Sequence, residues 1–180
     1  MPGMRIDVRG DVYLSEFVAA DCTPLVTYLA DRAIYERTLR IPYPYREADA
    51  DQWIALTAAH TRAQGRPIEM AVRESARGQL IGGVGFHDLE LGRSHQAEIG
   101  YWLAKPYWGR GIMTAVVGRL VEIGFGDMRL LRLTAHVFDW NTASARVLEK
   151  NRFQLEGILR KHYHKDGRIF DGKLYARVRE

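Results

Sequence analysis

The chain has 180 residues, 47% hydrophobic and 27% charged, a balance that fits a folded domain with its own core and excludes a disordered or fibrous chain. Its 26 Lys and Arg against 22 Asp and Glu leave a formal charge of +4 and a pI near 9.3, which suits an anionic ligand but includes no dense basic block of the nucleic-acid kind. No apolar run is long enough to span a bilayer, the opening MPGMRIDVRG lacks the apolar stretch of a secretory signal, and the lone Cys22 excludes an internal disulfide; one cytoplasmic domain over 1–180 is expected, with residues 1–10 flexible.

DVYLSEFV (11–18) reads as a strand, and Asp21 offers an N-cap for a helix through about Arg37. RIPYPYR (40–46) must be extended, because its prolines fix φ and restrict the residues before them. A second helix is expected from about Glu47 to Gln64, and PIEMAVRE and QLIGGVGFHD flank the turn SARG as a hairpin. QAEIGYWLA (96–104) is another strand. After the glycines, Met113, Val116, Val117, Leu120 and Val121 recur at helical spacing opposite Arg119 and Glu122. LRLTAHVF (131–138) returns as a strand, Asn141 caps a helix ending near Lys150, and FQLEGILRKHYHK and RIFDGKLYARV close a hairpin on Asp166–Gly167. The sum is an α/β (or α+β) chain built on a mixed sheet.

KPYWGRGIMTA (105–115) places two glycines around one arginine between a strand and an amphipathic helix. That order makes a phosphate cradle: the first helical turn presents backbone N–H groups and the positive dipole end to an anion. Gly109 and Gly111 let oxygen atoms approach the main chain, Arg110 adds charge, and the Thr114 hydroxyl can donate. A P-loop would need G-x-x-x-x-G-K-[ST], and a Rossmann fingerprint a third glycine at Thr114. The competing reading is a glycine-rich turn that binds nothing.

AEIGYWLAKPYWGRGIMTAVVGRLVE and LTAHVFDWNTASARVLEKNRFQLEGILR together resemble the GNAT superfamily of N-acetyltransferases, nearest to the ribosomal-protein N-terminal (Rim-type) branch. The likeness runs from about Val12 to Val178 and takes in RIPYPYREADADQWI. It implies the GNAT fold, a mostly antiparallel sheet of six to seven strands with helices on both faces and a splayed strand pair that holds acetyl-CoA. It implies that the loop from Trp108 through Gly109, Arg110, Gly111, Ile112, Met113 and Thr114 binds the pyrophosphate. The pantetheine arm is then expected against the backbone of Tyr101, Trp102 and Leu103, with Asn141 and Ser144 also reaching the cofactor. No metal is implied.

Acyl transfer needs a base for the amine, a donor for the oxyanion, for which the backbone N–H near Leu103 is the candidate, and a proton for the leaving thiolate. Alternation places Glu98 on one face of its strand with Gln96, Gly100 and Trp102, and many GNAT enzymes carry a glutamate base on this strand; the competing role is a structural salt bridge to an Arg or Lys. The family's usual acid, a tyrosine, is replaced by Leu148. Ser144 stands where Rim-type relatives have a serine near the sulfur, although a first-turn serine also caps helices. Tyr163 is a second candidate. Pro106 stands in place of a common Gln or Arg, Ala115 in place of a common glutamate, and Arg152 in place of the usual glycine of "GF".

His162 and His164 share strand spacing without completing a metal set, and Cys22 lacks an activating cation. The stiff, aromatic IPYPY segment is expected to wall the acceptor pocket through Tyr43 and Tyr45. The function expected is direct transfer of acetyl from acetyl-CoA to a primary amine, either a protein α-amino group or a small amine, with no membrane or direct nucleic-acid partner and a homodimer left open. The alternatives are a GNAT-like sensor that binds acyl-CoA without turnover, motivated by Leu148 and Pro106, and a nucleic-acid module, which lacks a basic stripe or an aromatic platform.

Overall fold

Alternation decides the strands in the computed structural model, which describes residues 4–180: in β2 (Val12–Ser15), Val12 and Leu14 are buried while Tyr13 and Ser15 face outward. The other strands are β1 (Arg5–Arg9), β3 (Glu69–Glu74), β4 (Leu80–His87), β5 (Gln96–Leu103), β6 (Arg132–Phe138), β7 (Gln154–Lys165) and β8 (Arg168–Val178). Helices are α1 (Cys22–Leu29), α2 (Arg32–Tyr35), α3 (Glu47–Gln64), α4 (Ile112–Glu122) and α5 (Thr142–Lys150). The strands form one mixed sheet in the order β1-β2-β3-β4-β5-β6-β8-β7. Eight strands replace the expected six or seven, because Ile6 and Val8 alternate with polar neighbours and Arg5–Arg9 pair with β2. Residues 1–3 of the segment expected to be flexible lie outside the described residues; Arg5–Arg9 are a strand.

The chain divides into two compact units, one running to Gly85 and including Tyr101–Val116, the other comprising Phe86–Gly100 and Val117–Glu180. In the first, β1, β2, β3 and β4 follow one another as an antiparallel meander. Phe17, Leu25, Leu29, Ile34, Tyr45 and Leu80 form its apolar core, with Trp53, Trp102 and Trp108 packed against them. Burial on this scale supplies the main driving force for folding, on the order of 25 cal/mol per Å² of apolar surface.

The single helix expected from Asp21 to Arg37 is broken in two. Asp31 is extended (ψ 117) and its carboxylate accepts from the Ala33 N–H at 2.8 Å, so a new helix starts there. Asp21 does not cap α1 with its side chain. Its carboxylate accepts from Val18 N–H at 2.9 Å and takes both terminal nitrogens of Arg73 at 2.7 and 2.8 Å, where both side chains are almost wholly buried.

In the second unit β6 runs antiparallel to β8, and β7 and β8 form the long closing hairpin. Its turn is Asp166–Gly167 with φ of 51° and 70°, the pair of left-handed residues that a two-residue hairpin demands. β5 and β6 are parallel, with α4 in the connection between them, as parallel neighbours require. Their ladder covers Gln96↔Arg132 to Glu98↔Thr134 and ends there, although the strands run on to Leu103 and Phe138.

Candidate active site

Gly109 and Gly111 both adopt left-handed φ, 73° and 70°, a conformation only glycine takes without strain. A Cβ at Gly109 would meet nothing within 4 Å, and one at Gly111 would meet only the Arg9 guanidinium at 4.0 Å. The glycines therefore serve the turn and leave the main chain open to approach, which fits a diphosphate. The Gly111 carbonyl accepts from Ala115 N–H at 3.2 Å, so the helical bonding of α4 begins on that glycine. Ile112 and Met113, the first residues of α4, are buried. Arg110 lies 5.4 Å from the centroid of the Tyr107 ring. A second cation joins it: Arg9 donates to the Arg110 carbonyl at 3.2 Å while pairing with Asp11. Hydrogen bonding to Arg9 holds the Asp11 carboxyl below its ordinary range. Sequence reasoning missed Arg9, because it lies in the segment read as flexible; its signal was the Ile6/Val8 alternation.

The loop is fastened to β5. Trp108 Nε1 donates to the Leu103 carbonyl at 2.7 Å, and Ala104 N–H donates to Ile81 at 2.8 Å. Trp102 approaches β4 so closely that a Cβ on Gly83 would stand 2.6 Å from its indole nitrogen, and one on Gly82 2.6 Å from its carbonyl oxygen. Tyr101 is half-buried on the same strand.

On the second unit's stretch of β5, Ala97 and Ile99 are buried and Glu98 projects from the other face, as alternation predicts. Its neighbour is a histidine: Oε1 of Glu98 lies 3.4 Å from Nδ1 of His136, with the two side chains 20% and 29% exposed. Sequence analysis missed His136. The pattern could have found it, since Leu133, Ala135 and Val137 are buried and Thr134 and His136 must face the other way. Asn141 caps α5, its side-chain oxygen accepting from Ser144 N–H at 3.3 Å, which places Ser144 in the first turn. Tyr163 is buried, edge-on to Phe138 at 5.0 Å and over Gly172.

The tyrosines expected to wall an acceptor pocket part ways. Tyr45 is 7% exposed within the apolar core, and burial pushes its hydroxyl up to about 12. Tyr43 is 46% exposed and lies 5.0 Å from the Tyr35 ring. Partial burial raises the Cys22 thiol, with Asp51 adding to the shift, so nothing activates it. Among the described residues no cluster of three or more His, Cys, Asp or Glu is arranged to hold a metal, and no helix is long and apolar enough to cross a membrane.

The sequence profile of the acetyltransferase (GNAT) domain matches residues 11–154, and the chain belongs to that family. It is an acetyl-CoA-dependent N-acetyltransferase. The uncharacterized N-acetyltransferase YoaA of Bacillus subtilis (strain 168) is 35% identical over 123 residues, 68% of this chain and 69% of that protein. The ribosomal-protein-serine acetyltransferase of Escherichia coli (strain K12) is 32% identical over 102 residues, 56% of this chain and 55% of its own. Mycobacterium smegmatis RimJ in complex with CoA-disulfide superposes with a TM-score of 0.81 at 25% identity, over 93% of this chain and 81% of that one.

Proposed function

We infer that the chain acetylates a primary amine, either a peptide α-amino group or a small-molecule amine, using acetyl-CoA as the donor and direct attack of the amine on the thioester. The observation that carries this reading is the left-handed pair Gly109 and Gly111 opening directly into α4. Backbone amides of residues 109–114 hold the pyrophosphate, Arg110 and Arg9 supply positive charge, and the Tyr101–Leu103 backbone aligns the pantetheine arm. When bound, acetyl-CoA supplies the activated acyl group; the rest falls to the protein.

A protonated amine cannot attack. Removing its proton is easier for an α-amino group, which titrates near about 8, than for a lysine amine, near about 10. Glu98 provides the negative charge that draws off that proton. The Leu103 N–H steadies the oxyanion, and Ser144 hydrogen-bonds the departing sulfur, since Leu148 offers no hydroxyl. Tyr43 forms part of the acceptor wall. The relation to a ribosomal-protein-serine acetyltransferase favours a peptide N-terminus over other amines. No observation favours a sensor without turnover.

The test is mass spectrometry of products after incubation with acetyl-CoA and a pool of free amino acids and short peptides of varied N-terminal residue. Acetylation of peptides at the α-nitrogen is expected. Uptake of coenzyme A by calorimetry with no acetylated product would reject the catalytic reading.

A further inference from the structure

The pair Glu98–His136 does not stand alone. His136 is stacked on His162, with ring centroids 6.0 Å apart and planes 18° from parallel, and His162 in turn meets Tyr163 edge-on at 4.7 Å. This row depends on an irregularity in the hairpin. The β7–β8 register shifts between Leu159 and Tyr163, so β7 carries extra residues where β8 offers Asp171. Lys161 sits in the bulge at φ 52°, a strained value for a lysine, and its N–H is held by the Asp171 carboxylate at 2.7 Å. A regular strand would alternate His162 with Tyr163 and needs no left-handed lysine; the bulge re-aims this stretch and lays one imidazole against the other.

Parallel pairing puts Glu98 opposite Thr134, two residues before His136 on the same face of β6. The carboxylate therefore reaches Nδ1 diagonally. A carboxylate 3.4 Å from Nδ1 favours the proton on that nitrogen, which would leave the Nε2 lone pair to accept another, because the two ring nitrogens are distinct.

We propose that His136, through Nε2, is the group that takes the proton from the acceptor amine, with Glu98 as the positioning residue that sets its tautomer and His162 as the ring that holds its face. The inference rests on the acetyl-transfer reading above and assigns the charge of Glu98 to act through His136. As the N–C bond forms and the C–S bond breaks, the amine proton passes to Nε2 and from there to water, and the sulfur leaves as thiolate and is protonated in turn.

Two-bond proton–nitrogen spectra of the full chain labelled with ¹⁵N-histidine decide the tautomer, the His136 signal being identified by its loss in His136→Gln. The expected wild-type form carries the proton on Nδ1 when the ring is neutral, and Glu98→Leu shifts it to Nε2. A wild-type Nε2–H form, or a tautomer indifferent to Glu98→Leu, overturns the proposal. Kinetics with acetyl-CoA and the pooled amino acids and peptides are the second arm. His136→Gln is expected to lower kcat by about 10²–10⁴-fold with the acetyl-CoA KM unchanged. If His136→Gln keeps full kcat while Glu98→Gln loses it, Glu98 takes the proton itself: the present inference falls and the acetyl-transfer reading survives. If the wild type acetylates nothing in the pool yet binds coenzyme A, that reading falls, and the tautomer still decides the pairing.

Discussion

The indole N–H of Trp108 donates to the carbonyl of Leu103 at 2.7 Å, hooking the residue before the glycine turn to the last residue of β5. The ring itself is half-buried against the apolar core, with the Arg37 guanidinium 5.4 Å from its centroid. One side chain thus fixes where the turn Gly109–Gly111 begins.

Trp108→Phe keeps the ring and removes the donor, leaving the Leu103 carbonyl without its partner. A loss of about 1–3 kcal/mol in stability is expected, together with a several-fold higher KM for acetyl-CoA and little change in kcat. Urea unfolding and steady-state kinetics check both. An unchanged KM would show that the hook does not position the loop.

Arg152 follows α5 in left-handed conformation, φ 61°, a region that favours glycine. A non-glycine residue there costs on the order of 1 kcal/mol. The neighbouring Arg152 charge also lowers Arg177, after the larger effect of burial. Arg152→Gly should therefore raise stability by about 1 kcal/mol despite the entropy of an added glycine, with activity unaltered. A lower Tm in the variant would contradict the strain.

Glu69 is 5% exposed; Oε1 lies 2.8 Å from His60 Nδ1, and Oε2 has no hydrogen-bond partner among the described residues. Burial pushes its carboxyl up, with His60 offsetting part of the shift. A carboxyl raised in the folded state binds its proton more tightly there than in the unfolded chain, so its contribution to stability is present at low pH and is lost as pH rises from the ordinary 4.5 through the raised value. Glu69→Gln should stabilise the protein at neutral pH, with the gain shrinking as pH falls from the raised value towards 4.5 and absent below it. Denaturant titrations across pH test this; a gain independent of pH would remove the charge as its cause.

Asn141→Ala removes the acceptor for Ser144 N–H and should cost about 1 kcal/mol. Asn141→Asp restores the cap and suits the helix dipole. If the Asn141 amide also reaches the cofactor, the aspartate variant regains stability but not coenzyme A affinity. Calorimetry beside thermal melts separates the two roles, and full recovery of affinity would leave Asn141 a cap alone.

Much of this protein was legible from periodicity and turn chemistry. The Asp166–Gly167 hairpin turn, the Asn141 cap and the order of strand, glycine loop and helix are local properties, fixed by what a few adjacent residues can adopt. The same holds for the alternation that points Glu98 away from Ala97 and Ile99. The break at Asp31 was misread because a short polar side chain competes with the helix for its own backbone, a contest that spacing alone does not settle. Strand β1 was read as flexible because two alternating apolar residues are a weak signal until a partner strand supplies the ladder.

By itself, then, the sequence determined the class: a strand, a glycine turn and an amphipathic helix in that order, with motifs that match the GNAT domain over residues 11–154. Only the tertiary structure decided which residues from distant stretches share a site. Arg9 meets Arg110 across a separation of 101 residues, and His136 meets Glu98 because parallel register puts Thr134 opposite it. Cross-strand register is a collective outcome of many backbone hydrogen bonds and buried faces, so no single segment carries it.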